Sequence, residues 1–254
     1  MGDLDHVRAL VTGASSGLGL AMAQALCAAG ATVAVSSRDP ERADKVARGL
    51  DGRALGVALD VRDPSSVTGA VDTAVAELGA IDLLVNNAGI GMRTVNPRFM
   101  TDPQPFWEVS PEGFGDVFAT KAMGSFLVAR EVIPRMLEAG RGRIVTISMN
   151  HATMRRRGFV PYGPSGAAVE AFARVMAADL ADTPVRANLL LPGGATRTGM
   201  LPNDTAADVT MRMLEPEIMG PPIVWLASAE ASQVNDERIV AAEFEQWLDG
   251  RRKA

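Results

Sequence analysis

The residues best suited to chemistry near the start of the chain lie in the run Thr12–Gly19, which reads TGASSGLG. Its three glycines allow a tight turn and let main chain approach a diphosphate closely, while a helix that starts inside the run directs free N–H groups at that phosphate. An apolar segment precedes the run and an apolar helical pattern follows it, which is the context such a turn needs. A glycine turn that serves only packing is the alternative. The run predicts a dinucleotide site formed by Gly13, Ser15, Ser16, Gly17, Leu18 and Gly19.

The end of the second predicted strand, Thr32–Ser36, distinguishes between two forms of such a dinucleotide. A carboxylate at this point would accept hydrogen bonds from a ribose 2′-hydroxyl and would repel a 2′-phosphate. The chain has Ser37 and Arg38 here, and a guanidinium forms paired, charge-assisted hydrogen bonds with phosphate. Asp39 follows, and we expect its side chain to point elsewhere because it begins the loop. The sequence favours NADP(H) over NAD(H), with Ser37 and Arg38 as contacts; a solvated Arg38 is the alternative.

Short apolar segments alternate with longer stretches of helical periodicity along the chain. Parallel strands joined by crossover helices have this pattern, and right-handed crossovers place helices on both faces of one sheet. The sequence predicts an α/β fold with a doubly wound parallel sheet, in a single domain over residues 1–254. The predicted strands are Val7–Val11, Thr32–Ser36, Ala54–Leu59, Leu83–Asn86, Arg143–Ser148, Arg186–Leu191 and Arg238–Ala241. The predicted helices are Leu18–Ala29, Pro40–Leu50, Pro64–Leu78, one long helix Pro111–Glu138, Pro164–Leu180 and Ile223–Ser228.

The composition excludes several classes of protein, and the loop lengths indicate where a substrate site could lie. The net charge of −5 leaves no electrostatic footprint for nucleic acid, and a single cysteine, Cys27, excludes an intrachain disulfide or a zinc cluster. No apolar run reaches the ~20 residues that span a bilayer, and the N-terminus lacks a signal-peptide pattern, so we expect a cytoplasmic protein without membrane contact. The connections 90–109 and 192–222 are longer than ordinary loops and are candidate substrate-site elements.

The glycine turn follows the pattern TGxxxGxG, and with it the chain resembles the short-chain dehydrogenase/reductase family over nearly its whole length. Asn86–Gly89 reads NNAG, and Asn188, Pro192-Gly193 and Ala227–Ser232 also match family motifs. The resemblance implies a Rossmann-type fold that binds NAD(P) and pairs into a homodimer or homotetramer through its two long helices. It adds as cofactor-binding residues Asp60 and Val61 beside the adenine, Asn87, Ala88 and Gly89 after the fourth strand, Pro192 and Gly193 beside the nicotinamide, Thr196 and Thr198 as hydroxyl contacts, and Tyr162.

The family's proton-transfer residues are mostly replaced. In the family a tyrosine four residues before a lysine transfers the proton, with help from a serine and an asparagine. Tyr162, the only tyrosine in the chain, matches the tyrosine. The lysine position is Gly166, the serine position is Met149 and the asparagine position is Lys121. Tyr162 alone, with an ordinary pKa of about 10, would be a slow base at neutral pH.

Three residues are candidates to restore proton transfer. The ammonium of Lys121 could occupy the space that Gly166 vacates, which would keep a positive charge near Tyr162. Ser148 could replace the missing serine if a bulge shifted the strand by one residue, and His151 could act as an acid or base near pH 7. The alternatives are that Lys121 faces solvent or pairs with a carboxylate, and that His151 is a hydrogen-bonded structural residue.

Arginines border the expected substrate cleft. Arg93 and Arg98 lie in the loop 90–109, and Arg155–Arg157 lies in the loop before Tyr162. If they converge, they suit a carboxylate or phosphate ligand, whereas a solvated or subunit-contacting loop is the alternative. The loop Ser148–Gly158 resembles that of family members labelled gluconate 5-dehydrogenase, which does not fix a substrate.

Together these features predict an NADP(H)-dependent oxidoreductase that interconverts a small-molecule carbonyl and an alcohol, with Tyr162 as the proton donor or acceptor. Two other functions stay open: a catalytically silent NADP(H)-binding protein, and a non-redox enzyme on the same fold. Gly166 and Met149 favour the silent protein, while Tyr162 and the complete glycine turn favour the enzyme.

Overall fold

The computed structural model describes residues 4–201, 211 and 213–253. Within them, seven parallel strands form one sheet in the order β3-β2-β1-β4-β5-β6-β7, which confirms the predicted doubly wound parallel sheet. The order reverses between β1 and β4, and in open α/β sheets ligands bind beside such a reversal, at the carboxyl ends of the strands. The strands are β1 (Arg8–Val11), β2 (Thr32–Ser37), β3 (Arg53–Ala58), β4 (Leu83–Asn86), β5 (Gly142–Ile147), β6 (Val185–Leu191) and β7 (Arg238–Val240).

Helices cover both faces of the sheet because successive strand residues point to opposite sides. Ala9 and Val11 of β1 belong to one apolar cluster, whereas Leu10 between them belongs to a second cluster on the other face. Cys27 is buried in the first cluster. The helices are α1 (Gly17–Ala28), α2 (Pro40–Arg48), α3 (Pro64–Leu78), α4 (Pro111–Phe118), α5 (Gly124–Glu138), α6 (His151–Met154), α7 (Tyr162–Asp179), α8 (Gly220–Ala227) and α9 (Phe244–Lys253).

The predicted long helix Pro111–Glu138 is interrupted, and the prediction of one continuous helix was wrong. A π-helical turn over Ala119–Met123 separates α4 from α5. The apolar pattern continues on both sides of this turn, so periodicity alone does not reveal it. Gly124 follows the turn and packs against the third strand's end, where an added Cβ would lie 2.6 Å from Val61 Cγ2. Such turns are frequent at functional sites, and this one carries Lys121.

Helix α7 begins at Tyr162, two residues before the predicted start at Pro164. Proline is tolerated anywhere in a helix's first turn, so its position does not mark the first residue. The short helix α6 was not predicted either, and it places His151 at its first residue. As a result, Tyr162 and His151 are the first residues of α7 and α6 and do not lie in loops. No helix among the described residues has the length and apolar character needed to cross a bilayer.

Candidate functional site

A single cleft of about 840 Å³ runs along the carboxyl ends of the strands. We call its two parts the glycine end and the tyrosine end. The glycine end is lined by Gly13, Ser15, Ser16, Gly17, Leu18, Ser37, Arg38, Arg42, Asp60, Val61 and Arg62. The tyrosine end is lined by Met92, Arg93, Phe99, Lys121, Met149, Arg156, Phe159, Tyr162 and Met200. The predicted residues Asn87, Ala88, Gly89, Pro192, Gly193, Thr196, Thr198 and Ser148 also line the cleft, while Gly19 and His151 are not among its lining residues.

The glycine turn is fixed by contacts with the segment after β4. Thr12 Oγ1 accepts hydrogen bonds from the main-chain N–H groups of Asn87 (2.9 Å) and Ala88 (3.0 Å). The Asn87 side-chain amide in turn donates to Thr12 O and to Gly13 O. A Cβ at Gly19 would lie 2.4 Å from Asn87 Nδ2, so this glycine serves the packing of the two segments. The turn is therefore held rigidly at the switch point of the sheet.

The first turn of α1 is open to an anion. Ser16 occupies its N-cap position without a side-chain hydrogen bond, and no acidic residue lies in the first turn. By contrast, Asp39, Asp63 and Ser110 cap the starts of α2, α3 and α4 with their side chains. Free N–H groups and the positive end of the helix dipole favour phosphate binding. The residues at the glycine end therefore fit the diphosphate of a dinucleotide.

The end of β2 presents cations to the same cleft. Arg38 and Arg42 both line it, and Arg42 donates a hydrogen bond to Ser15 O at 3.4 Å. The Asp39 carboxylate accepts hydrogen bonds from the N–H groups of Glu41 and Arg42, and Asp39 is not among the lining residues. Its side chain points elsewhere, as expected, but because it caps α2 and not because it begins a loop. Sequence reasoning missed Arg42, which lies in the first turn of α2, close in the chain to Ser37 and Arg38.

Asp60 lies beside these arginines and is itself paired. Arg62 binds its carboxylate through two nitrogens, at 2.9 and 2.6 Å. The hydrogen bonds from Arg62 hold the pKa of Asp60 below its ordinary value, against the opposing effect of burial. The Asp60 charge is therefore largely compensated within the protein.

Segments after β6 close the cleft from the other side. Gly193 has a φ of 97°, and an added Cβ would lie 2.8 Å from Val240 Cγ1. Its carbonyl accepts a hydrogen bond from the Asn150 side chain at 2.9 Å, which ties this segment to the end of β5. Thr198 lies against Gly17, with its Cγ2 placed 3.3 Å from where a Cβ would stand. Part of the predicted substrate element 192–222 lies outside the described residues.

Lys121 extends from the π-helical turn into the tyrosine end. Its stem passes over Gly89, where a Cβ would lie 3.1 Å from Lys121 Cγ, and its Nζ lies 4.7 Å from the centroid of the Tyr162 ring. Only 9% of Lys121 is exposed, and its ammonium has no carboxylate partner among the described residues. Burial lowers the pKa of Lys121 to about 8 and raises the pKa of Tyr162. Lys121 thus neither faces solvent nor pairs with a carboxylate of the described chain.

The space beside Gly166 is filled by Met149. A Cβ at Gly166 would lie 2.5 Å from Met149 Cε and 2.8 Å from Met149 Sδ. The two residues therefore fit each other physically, because the methionine side chain stands where any side chain at 166 would begin. The ammonium of Lys121 lies over the Tyr162 ring and not in that space.

Ser148 and His151 converge on Glu170. Ser148 Oγ donates to Glu170 Oε2 at 2.7 Å, and His151 Nε2 lies 3.2 Å from Glu170 Oε1. Arg238 binds the same carboxylate at 2.8 Å and donates to Met149 O. Burial pushes the pKa of Glu170 upward, but the hydrogen bonds and the Arg238 charge outweigh it, so the pKa lies below its ordinary value. Both side chains are thus engaged by this cluster, which sequence reasoning missed because its members are far apart in the chain.

The predicted arginines divide into two groups. Arg93 and Arg156 line the tyrosine end, and Arg93 donates to Gly199 O at 2.7 Å and to Leu201 O. Arg156 lies over the ring of Phe159, with its Cζ 4.8 Å from the centroid. Arg98 instead pairs with Asp102, and Arg155 and Arg157 are exposed and are not among the lining residues. Only part of the predicted arginine set therefore converges on the cleft.

Comparisons with known proteins identify relatives of the chain. Residues 7–208 match the model of a family described as short chain dehydrogenase. The chain is 37% identical over 192 residues to D-threitol dehydrogenase of Mycolicibacterium smegmatis, which covers 74% of this chain and 70% of that protein. It is 34% identical over 193 residues to gluconate 5-dehydrogenase of Gluconobacter oxydans, covering 75% and 72%. The crystal structure of 3-ketoacyl-(acyl-carrier-protein) reductase from Brucella melitensis complexed with NADH matches with a TM-score of 0.82 at 30% identity, over 93% of this chain and 97% of that one.

Proposed function

The chain belongs to the short-chain dehydrogenase family, and from this membership we propose that it is an NADP(H)-dependent oxidoreductase that interconverts a carbonyl and an alcohol. The observation that carries the proposal is the position of Lys121, whose buried ammonium lies over the Tyr162 ring in the same cleft as the open first turn of α1. A cation, a proton donor and a phosphate site in one cleft are the parts that such a reaction needs.

The preference for NADP(H) is supported by the charges at the end of β2. Arg38 and Arg42 line the cleft there, and the nearby carboxylates of Asp39 and Asp60 are committed to main-chain N–H groups and to Arg62. A 2′-phosphate would therefore meet cations and no free carboxylate. The Brucella melitensis reductase is complexed with NADH in its crystal structure, so NADH is the nucleotide against which NADPH is compared.

Calorimetry of NADPH and NADH with the wild-type chain tests the cofactor. We expect NADPH to bind more tightly, and Arg38→Ala or Arg42→Ala to weaken NADPH about tenfold while leaving NADH unchanged, since each removes a charged hydrogen bond. Arg48→Ala is the matched control, because Arg48 lies exposed on α2 outside the cleft. Equal affinities for both nucleotides would contradict the preference, and no affinity for either would remove the whole proposal.

In the proposed reaction Tyr162 holds the moving proton on its hydroxyl oxygen. When bound, the nicotinamide of the cofactor supplies or accepts the hydride. During reduction Tyr162 donates its proton to the substrate carbonyl oxygen, and the Lys121 ammonium stabilises the negative charge that develops on the tyrosine. Since burial raises the pKa of Tyr162, the phenol stays protonated at neutral pH and is ready to act as the acid.

The proposed reaction is tested by following NADPH oxidation with a panel of carbonyl compounds. We expect turnover that falls about a hundredfold or more in Tyr162→Phe, because a general acid contributes about that much. Tight NADPH binding without turnover for any carbonyl would favour the catalytically silent protein. Turnover that survives intact in Tyr162→Phe would contradict the role of Tyr162.

We propose that the chain assembles with a second copy of itself through α5 and α7, the pairing that the resemblance implied. Apolar side chains are exposed on this surface: Phe126 and Val175 are 41% and 58% exposed, and Phe126 contacts Phe172 across the two helices. Sedimentation of the wild-type chain is expected to show a dimer or tetramer. The double variant Phe126→Glu, Val175→Glu is expected to sediment as a smaller species. A monomeric wild-type chain would contradict this assembly.

A further inference from the structure

The tyrosine end of the cleft carries positive charge without a counter-charge. Lys121, Arg93 and Arg156 all line it, and no aspartate or glutamate is among the described residues that do. Among the described residues that line the cleft, Asp60 carries the one carboxylate, and it belongs to the glycine end and is paired with Arg62. Lys121 is buried, and a buried cation without a partner is costly, so a ligand that brings a negative charge is favoured at this end. Arg93 and Arg156 are exposed and add their positive charge to this end without that cost.

Arg156 is the cation best placed to contact such a ligand. Its position over the Phe159 ring restrains the guanidinium, and its side chain makes no hydrogen bond or ion pair with the described part of the chain. Its planar N–H groups therefore stay available for paired hydrogen bonds with an oxyanion. Arg93 differs, because its guanidinium already donates to the carbonyl groups of Gly199 and Leu201.

Apolar side chains separate Arg156 from Tyr162. Phe159 stands edge-on to Phe99 at 5.4 Å, and both belong to a buried cluster against which Tyr162 packs. A ligand that reaches from Tyr162 to Arg156 therefore crosses an apolar wall. Its reacting group and its charged group are separated by a short apolar spacer.

The geometry points to an anionic substrate: a carbonyl compound whose oxygen meets Tyr162 and whose carboxylate or phosphate, beyond a short apolar spacer, is bound by Arg156. This inference rests on the proposed function for the placement of the reacting carbonyl. It goes further by naming the class of substrate and the residue that selects it.

Binding without turnover tests the selection directly. The chain is saturated with NADP⁺, so that no hydride is available, and calorimetry is run with 4-oxopentanoate, 5-oxohexanoate, 6-oxoheptanoate and the methyl ester of each. Dihydroxyacetone phosphate is compared with dihydroxyacetone in the same way, to test a phosphate in place of the carboxylate. We expect at least one anion to bind about tenfold more tightly than its neutral partner, and the difference to shrink as salt is added.

The variants identify the residue responsible. Arg156→Gln is expected to remove the preference for the anion, Arg156→Lys to restore part of it, and Arg155→Gln and Arg157→Gln to leave it intact, since those two neighbours do not line the cleft. The inference is overturned if no anion binds, if every neutral partner binds as tightly as its anion, or if Arg157→Gln has the effect of Arg156→Gln.

NADPH oxidation with the same pairs separates this inference from the proposed function. Anions that bind through Arg156 without being reduced would refute the proposed reduction and leave the anion site standing. Equal turnover of the anions and their neutral partners would support the proposed reduction but overturn the selection by Arg156.

Discussion

Replacing Lys121 by methionine removes the charge beside Tyr162 while keeping a long apolar side chain in the same space. The Lys121 Nζ lies 4.7 Å from the Tyr162 ring centroid. At about 5 Å and an effective dielectric constant of about 20, a unit charge contributes about 3 kcal/mol to the stability of a full phenolate. If about half of that charge develops in the transition state, Lys121→Met lowers kcat/KM for carbonyl reduction about tenfold.

The assay is stopped-flow NADPH oxidation with a carbonyl that the wild-type chain reduces, measured across pH. Lys121 has a pKa of about 8, so its charge is present below that pH and is lost above it. The wild-type kcat/KM is therefore expected to fall as pH rises through about 8, and Lys121→Met is expected to lack this step. Lys45→Met, at an exposed lysine on α2, is the matched control.

Two results would refute this reasoning. One is a Lys121→Met chain that reduces the carbonyl as fast as wild type at pH 7. The other is a slow Lys121→Met chain whose pH profile keeps the step near pH 8, because the titrating group would then be a different one. An unchanged affinity for NADPH shows that the variant has not simply lost its cofactor.

Further outcomes follow from the same geometry. Because burial lowers the pKa of Lys121 from 10.5 to about 8, its charge destabilises the fold below pH 8, and the penalty disappears above the unfolded value. Urea unfolding is therefore expected to show that Lys121→Met is more stable than wild type by about 3 kcal/mol at pH 7, and that this difference vanishes above about pH 10.5. A variant that is less stable than wild type at pH 7 would contradict this. Gly166→Lys alone is expected to be destabilised by about 1–3 kcal/mol, because its stem meets Met149 Cε and Sδ. Met149→Ser with Gly166→Lys is expected to recover most of that loss, and strictly additive unfolding free energies would show that the two positions are independent. Ser148→Ala is expected to raise the pKa of Glu170, since the hydroxyl holds the ionised form, and an unchanged carboxylate titration by NMR would contradict that contact.

The sheet, its crossover helices and the glycine turn follow from local patterns, and these were predictable. Periodicity of the apolar residues fixes the type of each element, and three glycines between a strand and a helix fix the turn. The Asp39 side chain also has a local cause, because an aspartate directly before Pro40 caps a helix, although the sequence analysis assigned it to a loop. Contacts between residues that lie a few positions apart in the chain can be predicted directly from the sequence.

Features that depend on distant segments were not predictable in the same way. The π-helical turn that aims Lys121 at Tyr162 leaves the apolar pattern undisturbed on both sides. The cluster on Glu170 joins β5, α7 and β7, and only the folded chain brings Ser148 and Arg238 to one carboxylate. The resemblance to the family predicted that Gly166 and Met149 stand at replaced positions, but their mutual contact is a property of the packing that the sequence does not show.

The pairing of Lys121 with Tyr162 can be measured without knowing the substrate, because the chain contains a single tyrosine. Protein labelled with ¹³Cζ-tyrosine gives one resonance from Tyr162, which can be followed across pH in the wild-type chain and in Lys121→Met. The wild-type resonance is predicted to shift as the neighbouring ammonium loses its proton near pH 8, and this step is predicted to be absent in Lys121→Met. A wild-type resonance that does not change near pH 8, or a step that persists in the variant, would contradict a charged Lys121 beside Tyr162.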